Sequence, residues 1–166
     1  MSDLDYLPVT VIGGYLGAGK TTLVNYLLRN ANGLRLAVLV NEFGELAIDK
    51  DLIETEEDGL ISISGGCVCC SFGGDLIAAL ENLSQMQPRP DHILIESSGV
   101  AKPSAIFDSI TLLKGFAADG VVVLVDTETI RENANDKYMG DTILAQITQA
   151  DILLLNKCDL VDPQYI

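Results

Sequence analysis

The sequence predicts an α/β domain in which a mostly parallel β-sheet has helices on both faces, with residues 1–166 forming a single domain. Three observations support this prediction. Short runs of nearly all-apolar residues alternate with segments of helical periodicity, as in buried parallel sheets. A glycine-rich loop joins the first apolar run to the first helical segment. The other polar motifs follow apolar runs, which is where parallel sheets bind ligands.

The order of the elements follows from the spacing of apolar residues. Apolar or alternating runs predict strands at 7–13, 34–40, 59–64, 92–95, 121–126 and 152–155. Apolar residues at helical spacing predict helices over 20–30, 73–86, 104–114 and 142–147. The polar stretch 127–140 is interpreted as part helix and part loop, and 54–58 as an acidic patch.

The composition favours a soluble, cytoplasmic protein. Asp and Glu number 24 against 10 Lys and Arg, and the net charge of −14 disfavours nucleic acid as a partner. No apolar run approaches the roughly 18 residues of a membrane span, and residues 1–5 lack the basic start and apolar stretch of a secretory signal. We therefore expect no membrane partner, and any phosphate group must be held locally. The oligomeric state is left open.

The segment 14–21, GYLGAGKT, matches the G-x-x-x-x-G-K-[ST] spacing of a phosphate-binding loop and lies between a predicted strand and a predicted helix. Its glycines allow backbone N–H groups to converge on phosphate oxygens at the positive end of the helix. Lys20 would reach the β- and γ-phosphates, and the Thr21 hydroxyl would bind Mg²⁺. The predicted phosphate-binding residues are Gly14, Gly17, Ala18, Gly19, Lys20, Thr21 and Thr22. The alternative is a glycine-rich turn that binds nothing.

The tetrapeptide Asn156-Lys157-Cys158-Asp159 follows the last predicted strand and indicates guanine. The Asp159 carboxylate can accept hydrogen bonds from both the ring N–H and the exocyclic amine of guanine. Adenine lacks this pair of donors, so a desolvated carboxylate facing it would cost about 1–3 kcal/mol. Lys157 would lie against the base plane, Asn156 would hold the loop or the base, and Cys158 would pack inside the loop. The predicted nucleotide is therefore GTP, with GDP as its product, rather than ATP.

Glu96 directly follows the predicted strand 92–95, where phosphate-loop enzymes place an acidic residue that holds a Mg²⁺-bound water. It could also orient the attacking water or cap the strand. Residues 41–49 follow another strand and are polar and glycine-punctuated, as in a ligand-sensing loop or an ordinary connection. His92 stands alone at a strand start and is interpreted as structural.

Three of the four cysteines lie together, at Cys67, Cys69 and Cys70. Thiolates are ligands for Zn²⁺ or Cu(I), and three protein ligands leave one position open, as in a site that takes and passes on metal. Glu42 or Glu45 could supply a fourth ligand. Two alternatives stay open: thiol–disulfide exchange by the C-x-x-C pair Cys67 and Cys70, or three small buried residues without chemistry.

Several motifs occur in an order that resembles the CobW family of metal-handling P-loop GTPases, which is related to the urease and hydrogenase nickel-insertion GTPases. These are the phosphate loop, residues 41–45, the Cys-x-Cys-Cys motif after two glycines, Glu96-Ser97-Ser98-Gly99 and the Asn-Lys-x-Asp motif. The resemblance covers nearly the whole chain and implies a slow, Mg²⁺-dependent GTPase. Its nucleotide state would alter metal affinity at the cysteines, so that GTP hydrolysis is tied to delivery of Zn²⁺ or Co²⁺ to a client protein.

By the same resemblance, residues 41–49 form a switch with Asp49 near Mg²⁺, Glu96 acts beside Mg²⁺, and the three clustered cysteines bind the transition metal. Members of the family run well beyond this length, so we expect a fragment without the family's C-terminal domain, whose sheet has an uncovered edge. Two other functions are kept as alternatives. One is a non-enzymatic, GTP-switched metal-binding or sensing module. The other is a P-loop kinase acting on a small molecule, against which the Asn-Lys-x-Asp motif counts.

Overall fold

A computed structural model of the chain describes residues 6–40, 48–57, 60–63, 65–71 and 75–165. The strands are β1 (Leu7–Gly14), β2 (Leu36–Val40), β3 (Ile53–Glu57), β4 (Leu60–Ile63), β5 (Cys67–Ser71), β6 (His92–Glu96), β7 (Phe116–Asp126) and β8 (Ile152–Asn156). The α-helices are α1 (Lys20–Arg29), α2 (Leu76–Gln85), α3 (Pro103–Thr111), α4 (Ile130–Ala134) and α5 (Gly140–Thr148). Short 3₁₀ helices lie at Lys50–Leu52, Cys158–Leu160 and Pro163–Tyr165. Within these ranges, no helix has both the length and the apolar character that a membrane crossing requires.

The strands form one eight-stranded sheet in the order β3-β4-β5-β2-β6-β1-β7-β8. In this spatial order, every neighbouring pair among β5, β2, β6, β1, β7 and β8 is parallel. β4 pairs antiparallel with β5, and β3 pairs antiparallel with β4 at the edge. The helix α1 packs on one face through Val24 and Leu28. The helices α2 and α3 pack on the other face through Leu80, Leu83 and Ile110. The predicted architecture, a mostly parallel sheet with helices on both faces, is therefore confirmed.

The sequence does not predict β3 or β5, and it places the start of β7 too late. β3 lies at an edge of the sheet, where charged residues are usual, so its glutamates suggest an acidic patch instead of a strand. The cysteines of β5 suggest metal chemistry, although cysteine is also a small residue that is commonly buried. β7 begins at Phe116 because the strand continues through a bulge at Asp119.

β8 lies at the opposite edge of the sheet and is poorly covered. In the described sheet it pairs with β7 on one side and with no strand on the other. The exposed fractions of its four apolar side chains run from 37% at Leu154 to 55% at Ile152. This exposure agrees with the uncovered edge that the sequence leads us to expect.

The bulge in β7 brings Asp119 into a polar cluster on the sheet. Thr10 Oγ1 donates to Asp119 Oδ2 at 3.1 Å and lies 2.8 Å from His92 Nε2. Because the hydroxyl has a single proton, it makes the second contact by accepting from Nε2–H of the imidazole. Burial lowers the pKa of His92, and the Asp119 carboxylate opposes that effect. His92 is thus hydrogen-bonded within the fold.

The pKa of His92, the single histidine of the chain, should make stability depend on pH. Below about pH 6.5 the unfolded chain takes up a proton that the folded chain resists. The free energy of unfolding should therefore decrease as pH falls through 6.5, and level off below the lower pKa of the folded state. Urea unfolding between pH 5 and pH 8 measures this slope.

A His92→Gln variant provides the control for this prediction, because its amide can still donate to Thr10. It should lose the part of the pH dependence that belongs to the imidazole. NMR titration of the one imidazole checks the sign directly. A folded-state pKa above 6.5 would contradict the prediction.

Candidate nucleotide and metal site

The phosphate loop joins β1 to α1, and its surroundings require glycine at two positions. Gly14 has a φ of 134°, and a Cβ there would lie 2.5 Å from Leu124 O. Gly19 has a φ of 100°, and a Cβ there would overlap Asn156 Nδ2. Both backbones are in the region that favours glycine, and both contacts are closer than a side chain allows. The loop therefore approaches β7 and β8 more closely than other residues would permit.

Lys20 is the first residue of α1, and its side chain lies within the loop. It is buried, and its Nζ donates to Tyr15 O at 3.4 Å. Ala18 is also buried, whereas Gly17 and Thr22 are exposed. The ammonium and the helix N-terminus together create a local positive site in a chain of net charge −14. An anion bound here would be held locally, as the composition requires.

Thr21 and Glu96, both predicted to act beside Mg²⁺, are in direct contact. Thr21 Oγ1 donates to Glu96 Oε1 at 2.8 Å. Glu96 is buried at the end of β6 and is in register with Ile12 of β1, the strand that leads into the phosphate loop. Hydroxyl and carboxylate oxygens are the ligands that Mg²⁺ prefers, so these two side chains fit the ion.

A buried glutamine that the sequence analysis does not single out holds the loop after Glu96. Gln146 of α5 donates from Nε2 to Gly99 O at 3.1 Å and to Ala101 O at 2.8 Å. Gly99 in turn lies against the phosphate loop, where a Cβ would come within 2.8 Å of Leu16 N. The loop is therefore held between α5 and the phosphate loop. The signal that could have found Gln146 is a polar residue on the buried face of a helix.

The Asn-Lys-x-Asp motif contacts the phosphate loop through Asn156, the last residue of β8. Its Nδ2 donates to Ala18 O at 2.8 Å. Lys157 has a left-handed backbone with a φ of 59°, and its Nζ pairs with Asp126 Oδ2 at 2.7 Å. Asp159 is exposed in the 3₁₀ helix that follows. The motif and the phosphate loop thus lie at the same end of the sheet, where they could bind the two ends of one nucleotide.

Asp49, which the resemblance places near Mg²⁺, contacts two residues of α1. Its carboxylate pairs with Arg29 at 2.7 Å, and its backbone N–H donates to Asn25 Oδ1 at 3.0 Å. Arg29 is the last residue of α1, about 12 Å along the helix axis from Thr21. The guanidinium therefore engages the Asp49 carboxylate in an ion pair, and a role for Asp49 near Mg²⁺ stays a prediction.

The three clustered cysteines belong to β5 and are not gathered at one point. Cys67 and Cys69 face the α1 side of the sheet, whereas Cys70 packs on the α2 side. Since alternate residues of a strand point to opposite faces, the three thiols cannot all reach one Zn²⁺ at about 2.3 Å while β5 stays paired. Among the described residues, which exclude Glu42 and Glu45, no group of three or more His, Cys, Asp or Glu could hold a metal ion. A three-thiol site stays a prediction, and it would require β5 to rearrange.

Burial makes two of these thiols reluctant to ionise. It raises the pKa of Cys70 to about 11 and that of Cys69 to about 12, and for Cys69 the charges of Cys70 and Glu96 add to the effect. Cys67 is buried at the other end of β5, where its Sγ accepts from Leu36 N at 3.3 Å. A metal ion bound by these two thiols would therefore have to displace their protons. Glu96, on the same face of the sheet as Cys69, influences how easily that happens.

Comparison with known proteins shows which family shares this arrangement. The CobW/HypB/UreG nucleotide-binding domain matches residues 8–165. The zinc chaperone CobW of Sinorhizobium sp is 36% identical over 184 residues, which cover 94% of this chain and 52% of that protein. Zinc-regulated GTPase metalloprotein activator 1 of Schizosaccharomyces pombe is 37% identical over 98% of this chain and 42% of its own length. The chain thus spans about half the length of the curated relatives it matches.

Solved structures agree with the sequence comparison. Zn(II)-bound YjiA GTPase from E. coli superposes with a TM-score of 0.74 at 30% identity, over 95% of this chain and 51% of that one. A Zn(II)-bound triple mutant of YjiA, with alanine in place of one glutamate and two cysteines, gives a TM-score of 0.74 at 29% identity. The fold is that of a P-loop GTPase. On the match over residues 8–165 and the identity to these relatives, the chain belongs to the CobW/HypB/UreG family as its nucleotide-binding domain.

Proposed function

We propose that this chain is the GTPase domain of a zinc metallochaperone. It binds Mg²⁺ and GTP at the phosphate loop and the Asn-Lys-x-Asp motif, hydrolyses GTP slowly, and couples nucleotide state to delivery of zinc, or cobalt, to a client protein. The observation that carries the proposal is the position of Glu96, which contacts Thr21 at 2.8 Å and lies on the same face of the sheet as Cys69. One carboxylate thus contacts a predicted Mg²⁺ ligand and also affects the charge state of a predicted zinc ligand.

The nucleotide chemistry follows from the side chains around the loop. Backbone N–H groups and the Lys20 ammonium would stabilise the negative charge that develops as water attacks the γ-phosphate. Thr21 and Glu96 would hold Mg²⁺, which when bound neutralises charge on the β- and γ-phosphate oxygens. Glu96 could also orient the attacking water. At the other end of the nucleotide, Asp159 would select guanine with Lys157 against the base.

Coupling requires that a change of nucleotide at the phosphate loop alter the metal affinity of the cysteines. Glu96 accepts a hydrogen bond from Thr21, so a nucleotide that engages the Thr21 hydroxyl changes what Glu96 contacts. Because a nearby carboxylate disfavours a thiolate, a change around Glu96 alters how readily Cys69 binds a soft metal. The proposed zinc ligands are Cys67, Cys69 and Cys70, with Glu42 or Glu45 as the fourth.

The relatives support zinc as the transferred metal. Their names describe zinc chaperones and a zinc-regulated GTPase that activates metalloproteins, and YjiA GTPase was solved with Zn(II) bound. The YjiA triple mutant is also Zn(II)-bound, so that protein binds zinc with one glutamate and two cysteines removed. A test on this chain must therefore separate one tight site from weaker ones.

Zinc affinity should depend on the bound nucleotide. We expect competition with a chromophoric chelator to give zinc Kd values that differ about fivefold or more between the Mg²⁺–GTP and Mg²⁺–GDP forms, with the nucleotide-free chain as reference. A ligand that interacts equally with two states cannot shift the equilibrium between them. Equal zinc affinity in all three forms would therefore overturn the coupling.

Two cysteine variants test the proposed ligands in the same titration. Cys69→Ser should remove the tight zinc site. Cys158→Ser should keep it, because that thiol lies in the Asn-Lys-x-Asp motif and donates to Leu155 O at 3.4 Å. Tight binding retained in full by Cys69→Ser would contradict the ligand assignment.

The position of Asp49 favours a second candidate, a non-enzymatic module in which GTP binding alone switches metal affinity. Arg29 engages the Asp49 carboxylate, which would have to leave this ion pair before it could assist hydrolysis. Nucleotide-dependent zinc affinity without release of phosphate from GTP would establish this alternative. Phosphate release above the uncatalysed rate would support the GTPase.

A cytoplasmic location, without nucleic-acid or membrane partners, remains a prediction from the sequence.

A further inference from the structure

We propose that Asp126, at the end of β7, is a positioning residue for the guanine base: it holds the Lys157 side chain where that side chain covers the base plane. The inference rests on the proposed guanine-nucleotide site and extends it, because Asp126 belongs to none of the nucleotide motifs. Asp126 acts through Lys157 and makes no contact with the base. Its role can therefore be tested separately from that of the motif.

Strand register fixes Asp126 relative to the guanine motif. Asp126 is the register partner of Asn156, and the two residues end β7 and β8. Thr127, the next residue, donates to Asn156 O from its backbone N at 3.1 Å and from its Oγ1 at 2.8 Å. The backbone at Asp126 cannot shift relative to the motif without breaking these hydrogen bonds.

Both carboxylate oxygens of Asp126 are engaged. Oδ2 accepts from Lys157 Nζ at 2.7 Å, and Oδ1 accepts from Glu128 N at 3.1 Å. The Asp126 side chain is 12% exposed and that of Lys157 is 34% exposed. A partly buried carboxylate that is oriented by a second hydrogen bond holds its partner more firmly than an exposed pair, whose long side chains sample many conformations.

The backbone of Lys157 also depends on its surroundings. Its φ of 59° lies in the left-handed region, which costs free energy for a residue with a side chain. The ion pair fixes the far end of the same side chain. With backbone and ammonium both held, the methylene stem between them offers an apolar surface to the face of a base.

Packing against the face of a base does not depend on the groups at its edge. Loss of the Asp126 contact should therefore lower the affinities for GDP and IDP by the same factor, because their bases differ only in the exocyclic amine of guanine. Discrimination between the two nucleotides, which Asp159 provides, should be unchanged. This pattern separates positioning of Lys157 from recognition of the base edge.

Competition against a fluorescent GDP analogue measures the Kd of GDP and IDP in the wild type, Asp126→Asn, Lys157→Met and the double variant. We expect Asp126→Asn to weaken both nucleotides about tenfold and to retain the ratio of the two Kd values. In the Lys157→Met background, Asp126→Asn should have no further effect because its partner is gone. Asp151→Asn is the control. The Asp151 carboxylate of the wild type accepts from Val121 N at 2.7 Å, just before the start of β8, and the variant should bind both nucleotides as the wild type does.

Three results would overturn the inference: unchanged affinity in Asp126→Asn, an altered ratio of GDP to IDP affinity, or a full additional loss in the Lys157→Met background. Should Asp126→Asn fail to fold, Lys157→Met decides the question, because it removes the other partner of the ion pair. This variant must lower the affinities for GDP and IDP by the same factor. Unchanged affinities would overturn the inference. A wild-type chain that binds neither nucleotide would instead overturn the proposed function.

Discussion

Replacing Lys20 with methionine is expected to slow GTP hydrolysis by about a hundredfold to a thousandfold, the usual effect of removing one preorganised donor from a charged transition state. Lys20 is buried beside the loop carbonyl of Tyr15, at the N-terminus of α1. Methionine keeps the length and the apolar stem of the side chain and removes the charge, so the fold should be retained. Single-turnover hydrolysis at saturating Mg²⁺–GTP measures the loss.

Lys137→Met is the matched control for this substitution. Lys137 is exposed, and its ammonium lies 5.7 Å from the centre of the Tyr138 ring, outside the loop. The control should hydrolyse GTP at the wild-type rate. Should Lys20→Met also match the wild type, the ammonium would have no part in hydrolysis, and the catalytic role assigned to the loop would fail.

Replacing Asp159 with asparagine should change the preferred base from guanine to xanthine. The carboxylate is proposed to accept from the ring N–H and the exocyclic amine of guanine, whereas an amide can donate to the carbonyl oxygen that xanthine has in place of the amine. Affinity for GDP should fall by a factor of about ten to a hundred, and affinity for XDP should rise above that for GDP. Competition binding with GDP and XDP measures both changes.

The control for Asp159→Asn is Asp162→Asn, three residues further along the chain. Asp162 is exposed, and its Oδ1 accepts from Gln164 N at 3.0 Å, which an asparagine oxygen can also do. This variant should keep the preference for GDP. If Asp159→Asn weakened GDP and XDP alike, the residue would support the loop without reading the base edge.

The elements that the sequence predicts best are those whose burial is visible in their own residues. The predicted strand 7–13 and helix 20–30 lie within one residue of β1 (Leu7–Gly14) and α1 (Lys20–Arg29). β5 is different, because it is a strand through its pairing with β2 and β4, which its five residues do not reveal. Local pattern alone could not have distinguished a paired cysteine strand from a metal-binding loop.

The site divides in the same way between local motifs and contacts made over long distances in the chain. The phosphate loop and the Asn-Lys-x-Asp motif could be predicted because each is a continuous segment. Gln146 and Gly99 are 47 residues apart, and Lys157 and Asp126 are 31 residues apart. Their contacts depend on how α5 and β8 are placed against the sheet. The pairing of Asp49 with Arg29 could not be predicted for the same reason, since the two are 20 residues apart.

The position of β5 has a consequence for the kinetics of metal exchange. The strand is hydrogen-bonded to β2 and β4, and two of its thiols are buried. If these thiols bind zinc, loading and release require β5 to separate from a neighbour, in the way that protected amides exchange only through local opening. The rate of transfer would then be set by that opening instead of by the Zn–S bonds. A partner that loosens the β3–β4 edge could trigger transfer without touching the metal.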